Sequence, residues 1–392
     1  MSGRGTMPER DGVVTIEEPC LGYGKFDSTA RLEQESEIIR QVLLRHADDA
    51  ILHFHNPNLG KNPALTLAVF RLVLQGYPVV NHCHDFPEDR PVNYALLSEM
   101  AKALNIDLQQ ILYPQRINCH FAVLNGCDHV RLLSLGLPTD RVHLLPNPVV
   151  LSSTQSPSET VRKEIARILG LDPRKRIVTY PVRAIRRKNL GECILLALLF
   201  HESTYFVITQ PPKNPTELPA YNRWKQWCTL HGVMVKFEAG EKIQHEELIG
   251  ISDFCITTSV QEGFGMAFLE PWMAGRPVVG RNLPCVTSDM KTAGIELPGL
   301  YDRLIAAGPE GPVDFGTLDQ PAQELILERV LMDPEERNRL FGMNSFLRDL
   351  FQSQDHLVEK NRELIRHQYS LTLYENRLFD IYKRLSGGVG RP

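Results

Sequence analysis

The sequence predicts two doubly wound α/β domains in series, and three observations carry that reading. At 392 residues the chain exceeds what a single core usually serves. Residues 13–150 alternate short β-branched runs with amphipathic stretches, and 160–365 repeat that alternation. Between them lies LSSTQSPSE (151–159), a linker containing Ser, Thr and Pro. Each alternation predicts a parallel sheet with right-handed crossovers.

The elements follow in order. Residues 1–12 are polar, lack the apolar segment of a secretory signal, and read as a disordered tail. Val13–Ile16 can form a first strand, and the loop CLGYGKFDST leads into a helix from about Ala30 to His46. Ile51–His55 reads as a second strand. Pro63 then opens an amphipathic helix through Leu74, as proline in a first helical turn does. Val79–Asp85 (VVNHCHD) and Cys119–Leu124 are further strands. NGCDHVRLLSLGLP is a helix closed by Gly136, and RVHLLPNPV is a last strand. In the second half, 177–180, 205–209, 233–237 and 253–258 read as strands, and 189–201, 218–231 and 245–250 as helices. From about Phe346 to Leu385 the chain is mostly helical and rich in both charge signs.

Composition narrows the function. Hydrophobic content of 43% and charged content of 23% are those of an ordinary globular protein. A net charge of -4 lacks the basic excess of a nucleic-acid binder. Eight scattered cysteines with no Cys-x-x-Cys pair read as reduced, buried thiols of a cytoplasmic protein. LTLAVFRLVL and CILLALLF are too short or too interrupted by charge to span a bilayer. Peripheral membrane contact and homo-oligomerisation stay open.

The chemistry concentrates in residues 257–280, TTSVQEGFGMAFLEPWMAGRPVVG. Strand, Gly-rich turn, apolar helix, Gly275 and strand form a βαβ unit whose turn frees backbone N–H groups at a helix N-terminus. Ionised carboxylates only accept hydrogen bonds, so Glu262 and Glu270 suit a hydroxyl-rich ligand. These two residues flank Gly263-Phe264-Gly265 and precede a Gly-x-Pro-Val-Val strand. The stretch resembles the E-x7-E motif of retaining glycosyltransferases with the two-Rossmann (GT-B) fold, closest to glycosyltransferase family 4.

The resemblance implies two Rossmann-like domains facing a deep cleft, with the last helix, within 366–392, crossing back to the first domain. An amphipathic helix remaining on the second domain is the alternative. It also implies transfer of a hexosyl group from a UDP- or GDP-type nucleotide sugar to an acceptor hydroxyl, with retention. The family generally lacks an Asp-x-Asp metal site and this sequence has none, so no metal and no cofactor beyond the donor is expected. Glu262 would accept from hydroxyls of the donor sugar and Glu270 from those of the ribose. Backbone N–H groups of Gly263, Phe264 and Gly265 would line sugar and phosphates, the Phe264 ring packing to hold the turn. In YPVRAIRRKNL, Arg183 and Lys188 have the spacing of the family's diphosphate-binding pair, and Asn189 stands where glycine is common. Without the two glutamates this basic run would read as a solvated helix start; Arg186 and Arg187 are assigned to the surface. Thr209–Lys213 and Lys236–Glu238 are candidates for the base.

In the first half, His84-Asp85 closes VVNHCHD and resembles the family's His that hydrogen-bonds the reacting sugar. His82 and His84 alternate onto one strand face, as His53 and His55 do. The four imidazoles could instead ligate zinc from adjacent strands. No Cys or carboxylate completes a recognised ligand spacing, so no metal site is assigned, and a buried structural role for His53 or His55 is preferred. Gly22 and Gly24 stand where the family often has a Gly-Gly pair beside donor phosphate and acceptor. Lys25, Lys61, Asn62, Asp85, Arg90 and Asn93 are acceptor-side candidates. The acceptor could be a glycan, a lipid carrier, or a small molecule such as a glycerate or inositol derivative. The rival readings are a nucleotide-sugar epimerase of the same fold and a non-catalytic nucleotide-sugar binder. An NAD oxidoreductase is disfavoured, since no Gly-x-Gly-x-x-Gly follows a first strand.

Overall fold

The computed structural model describes residues 14, 16–47, 49–150 and 157–388. The expected tail, part of the Val13–Ile16 strand and most of the linker lie outside the described residues. The chain divides into two compact units, one of residues 1–147 with 372–392 and one of 148–371.

In unit 1 the elements are α1 (Thr29–Leu44), β1 (Leu52–His55), α2 (Pro63–Leu74), β2 (Val79–Cys83), α3 (Pro91–Leu104), α4 (Leu108–Leu112), β3 (Cys119–Val123), α5 (Gly126–Ser134) and β4 (Val142–Leu144). The four strands are parallel in the order β1-β2-β3-β4. Local chemistry sets the helix starts: Ser28, Asn62 and Asn125 each accept the backbone N–H three residues on. Leu67, Leu72, Phe86, Leu97 and Phe121 fill the core between one sheet face and the helices.

Unit 2 begins with α6 (Glu159–Leu169), β5 (Arg176–Arg183), α7 (Leu190–Phe200), β6 (Thr204–Gln210), α8 (Leu218–His231), β7 (Val235–Lys236), α9 (His245–Ile251) and β8 (Phe254–Thr257). It continues with α10 (Glu270–Met273), β9 (Val278–Arg281), α11 (Pro284–Thr292), β10 (Leu300–Tyr301), β11 (Ile305–Gly308) and β12 (Gly311–Asp314). Helices α12 (Gln320–Met332), α13 (Pro334–Met343) and α14 (Asp355–Gln368) complete it. Its parallel sheet runs β10-β9-β8-β5-β6-β7, and β11-β12 form a separate antiparallel hairpin that the sequence reading did not anticipate. The order reverses between β5 and β8, the switch point at which open α/β sheets present ligand-binding loops. Residues 190–199 of α7 are all buried, which explains a run as apolar as CILLALLF without any membrane. Among the described residues no helix is long and apolar enough to cross a membrane.

The last helix, α15 (Leu371–Gly388), belongs to unit 1 from Thr372 onward. Its Ile381 and Leu385 pack on Val80, Ala122 and Leu145, with Tyr374, Leu378 and Tyr382 alongside. That spacing is one stripe of a helix, and it covers the second face of the unit 1 sheet. The expected return of the final helix is therefore present.

Several expectations need correction. The strand at 233–237 contracts to Val235–Lys236. The helix after the Gly-rich turn is a 3-10 turn, Met266–Phe268, followed by the four residues of α10. Pro271 opens that turn of helix, and Gly275 (φ 76°) closes it. Of the cysteines, all free, Cys127 and Cys285 are exposed and Cys20 is half-buried, so only five are the expected buried thiols.

Candidate donor site and a histidine-lined sheet face

In unit 2, Lys188 and Glu262 of the expected donor residues meet beyond the ends of β5 and β8. Arg183 is the last residue of β5 and its side chain is exposed. Beyond it a 3-10 turn, Arg186–Lys188, leads to Asn189, whose backbone is left-handed (φ 49°, ψ 59°). Asn is one of the few residues besides glycine that adopts this conformation readily. The Asn189 side chain donates to Glu192 (2.9 Å) and accepts from Gln323 (2.8 Å), which fixes the turn.

The turn presents Lys188, whose Nζ donates to Glu262 Oε1. Their side chains are only 11% and 7% exposed, so this is a largely desolvated ion pair. Burial pulls the Lys188 ammonium below the ordinary lysine range, and the Glu262 carboxylate opposes that pull. Arg187 joins the pair through Glu262 Oε2 (3.3 Å) and also donates to the Gln261 carbonyl (3.1 Å). Its assignment to the surface is thus corrected: the buried carboxylate recruits a second cation. Arg186 is exposed as expected.

Three residues that the sequence reading passed over hold this arrangement. Tyr180 Oη donates to the Lys188 carbonyl (2.9 Å) and meets Ser259 Oγ (2.8 Å). Thr258 Oγ1 donates to the carbonyls of Lys188 (3.0 Å) and Asn189 (3.1 Å). The polar Thr257–Ser259 run at the end of an apolar strand was the available signal, since such buried hydroxyls need partners.

The glutamate-flanked turn follows. Gly265 is left-handed (φ 85°), and a Cβ there would lie 2.4 Å from Val286 Cγ1, so only glycine fits. The buried Phe264 ring meets Tyr369 edge-on at 5.7 Å, in keeping with a packing role. Gly263 is half-buried beside it. Glu270 begins α10 and accepts from His245 Nε2 at 3.3 Å, a partner from α9 that the sequence did not reveal. The two glutamates therefore have different company: Glu262 two cations, Glu270 one imidazole. Thr209–Lys213 and Lys236–Glu238 span the ends of the next two strands, β6 and β7. There Glu238 is tied to Lys225 (2.7 Å) and Tyr221 (3.2 Å).

In unit 1 the loop around Gly22 and Gly24 borders a cavity of about 620 Å³ that Tyr23, Lys25, Arg31 and Asn62 also line. Asn62 is committed to structure. It caps α2 and donates to the carbonyls of Cys20 (3.0 Å) and Gly22 (2.6 Å), holding the loop to the helix. Lys61 reaches Tyr23 Oη (3.2 Å), Asp85 pairs with Arg90 (3.2 Å), and Asn93 donates to the Leu59 carbonyl (2.7 Å). Asn56, itself left-handed, accepts the backbone N–H groups of His84 (2.7 Å) and Asp85 (3.1 Å) and so aims the end of β2.

The α15 side of the unit 1 sheet carries six imidazoles. Parallel pairing sets His55 beside His82, and His84 follows on the same face. His82 and His84 stack at 4.2 Å, and His53 and His55 at 4.9 Å. His55 Nδ1 meets His84 Nε2 at 2.7 Å, and His53 Nδ1 meets Tyr382 Oη at 2.7 Å. On the same face His143 Nε2 meets His120 Nδ1 at 2.9 Å. Burial, reinforced by neighbouring imidazoles, drops His53 and His84 to about 4. Of the two histidines offered a buried role, His53 is half-buried and His55 is exposed.

No protein-family model matches the chain. It is 30% identical over 345 residues to the mannosylglucosyl-3-phosphoglycerate synthase of Petrotoga mobilis, an alignment covering 84% of this chain and 65% of that protein. The chain is a GT-B-fold relative of this synthase. A second relative, the mannosylglucosylglycerate synthase of the same organism, is 23% identical over 366 residues, covering 86% of this chain and 82% of that one. The GT-B fold itself is shared with Anabaena HepE, solved in complex with UDP and glucose. The match has a TM-score of 0.57 at 14% identity and covers 92% of this chain and 84% of that one.

Proposed function

We propose that the chain is a retaining glycosyltransferase that moves a hexosyl group from a UDP- or GDP-type nucleotide sugar to a hydroxyl of a small acidic acceptor of the glycerate class. The observation that carries this reading is the desolvated Lys188–Glu262 pair, flanked by Arg187, at the C-terminal ends of β5 and β8. A nucleotide sugar needs cations for a diphosphate and acceptors for sugar hydroxyls at adjoining points, and this cluster offers both. The names of the two Petrotoga synthases support the acceptor class.

In the proposed reaction the acceptor oxygen bonds to the anomeric carbon while the bond to the diphosphate breaks. The diphosphate leaves with the electron pair, and the acceptor proton passes to its departing oxygen on the same face. Arg183 and Lys188 stabilise the charge that develops there. Glu262 accepts from hydroxyls of the donor sugar, Glu270 from the ribose, and Gly263 to Gly265 allow backbone approach. His84, Gly22, Gly24, Lys25, Lys61, Asp85 and Arg90 are proposed to serve sugar and acceptor from unit 1, with Asn62 holding the loop. The charge chemistry rests on side chains, so turnover is expected without added Mg2+ or Mn2+.

The test is a panel of nucleotide sugars screened by thermal shift, since a ligand bound only to the native state raises its midpoint. The stabilising donor is then incubated with glycerate-type acceptors, and the anomeric configuration of the product is read by NMR. A retained glycoside is the expected result. Failure of every donor to bind, or a new sugar isomer formed without acceptor, would overturn the reading.

A further inference from the structure

We propose that His53, His55 and His82 form a binding site for one divalent transition-metal ion on the α15 side of the unit 1 sheet. One ring nitrogen from each of the three lies within 4.8 Å of the others. Around a tetrahedral zinc ion, with Zn–N near ~2.0–2.1 Å, ligand nitrogens sit roughly 3.4 Å apart. His53 Nε2 and His82 Nδ1 already stand at 3.3 Å. His55 closes the set by a small ring movement, which its exposure allows.

Two further observations point to a ligand. His82 has no solvent exposure, and its Nε2 has no hydrogen-bond partner among the described residues. A fully buried imidazole is already stripped of water, so an ion held at its Nδ1 displaces no solvent from that nitrogen. The other two rings are supported as metal-bound histidines usually are. Tyr382 Oη holds His53 Nδ1 at 2.7 Å, and His84 Nε2 holds His55 Nδ1 at 2.7 Å. Each contact fixes a ring's orientation and leaves its Nε2 as the ligand atom. The donor set is all imidazole, which selects zinc, cobalt, nickel or copper over magnesium or calcium. The fourth position is reachable past the exposed His55. Neither strand shows this alone: HFH and NHCH become one site only through the parallel pairing of β1 with β2.

The experiment uses the full chain without a purification tag, treated with EDTA and desalted, then titrated with Zn2+ in a calorimeter and with Co2+ by visible absorption. One equivalent per chain with a micromolar or tighter Kd is expected, together with a tetrahedral Co2+ spectrum. His55→Asn and His53→Asn should weaken binding at least ~100-fold. Tyr382→Phe, which removes only a supporting contact, should cost about 10- to 100-fold. His120→Asn, from the other pair on the same face, should bind as the wild type does. Circular dichroism of each variant verifies its fold, and the exposed His55 carries the test where His53→Asn does not fold. Substoichiometric binding, or His55→Asn binding as tightly as wild type, would overturn the site. So would equal losses in His55→Asn and His120→Asn. The readout is ion binding, so its failure is distinct from a failure of the proposed transfer reaction.

Discussion

Replacing Glu262 by Gln tests the donor-site reading most sharply, because the structure links two separable consequences to one carboxylate. The substitution keeps the shape and removes the charge that offsets the Lys188 ammonium, whose side chain is 11% exposed. Breaking one side of a buried pair typically costs about 3–5 kcal/mol. Lysine has an escape that caps this cost. An ordinary ammonium titrates near 10.5, so giving up its proton at pH 7 costs about 5 kcal/mol. For a unit of this size such a penalty lowers the thermal midpoint by roughly 10 °C. The double variant Lys188→Met with Glu262→Gln removes both charges and should melt within a few degrees of wild type. Transfer should fall at least ~100-fold in both proteins, since one loses the charged acceptor for the sugar hydroxyls and the other both charged groups. Calorimetry and a coupled assay for nucleoside-diphosphate release give the two readouts. A single variant that melts with the wild type, or a double variant as unstable as the single, would refute the desolvated-pair argument. Full turnover in either protein would refute the role in transfer.

Three further outcomes follow from particular residues. Burial lowers the Lys188 pKa, so kcat/KM should fall on an alkaline limb below the ordinary lysine range, and Lys188→Arg should remove that limb from the profile. Asn189→Gly should retain more stability than Asn189→Ala, which must hold a left-handed backbone at a cost of about 1–2 kcal/mol; thermal midpoints decide it. His143 drops to about 4 through burial, with His120, Arg384 and His129 adding to the fall and Asp140 opposing it. The unfolded chain therefore binds the proton more readily, and stability present above about pH 6.5 is lost as pH falls toward 4. His143→Phe should flatten that slope in acid-denaturation curves.

Much of the fold was legible because it is written locally. Pro63 to Leu74 and Leu218 to His231 were found at their observed bounds, since a proline start and an apolar period need only neighbouring residues. Weaker signals failed where tertiary contacts decide. The strand at 233–237 shortened at the sheet edge, and the helix expected after the Gly-rich turn broke into a 3-10 turn and the four residues of α10. Arg187 looked like a surface residue because nothing nearby in sequence shows that its neighbour across the sheet is a buried acid.

The sequence by itself determined the alternation of strands and helices, the glutamate-flanked turn and the basic run that precedes it. Only the tertiary structure decided which cation meets which carboxylate, since Lys188 and Glu262 are 74 residues apart and meet through the β5–β8 pairing. It likewise gathered the histidines of β1 and β2 onto one face and laid Tyr382 of the last helix against them. The physical reason is one of range. Periodicity and turn chemistry act over a few residues, whereas strand order is set by burial of the whole sheet, and the chemistry of this protein sits where distant strands end side by side.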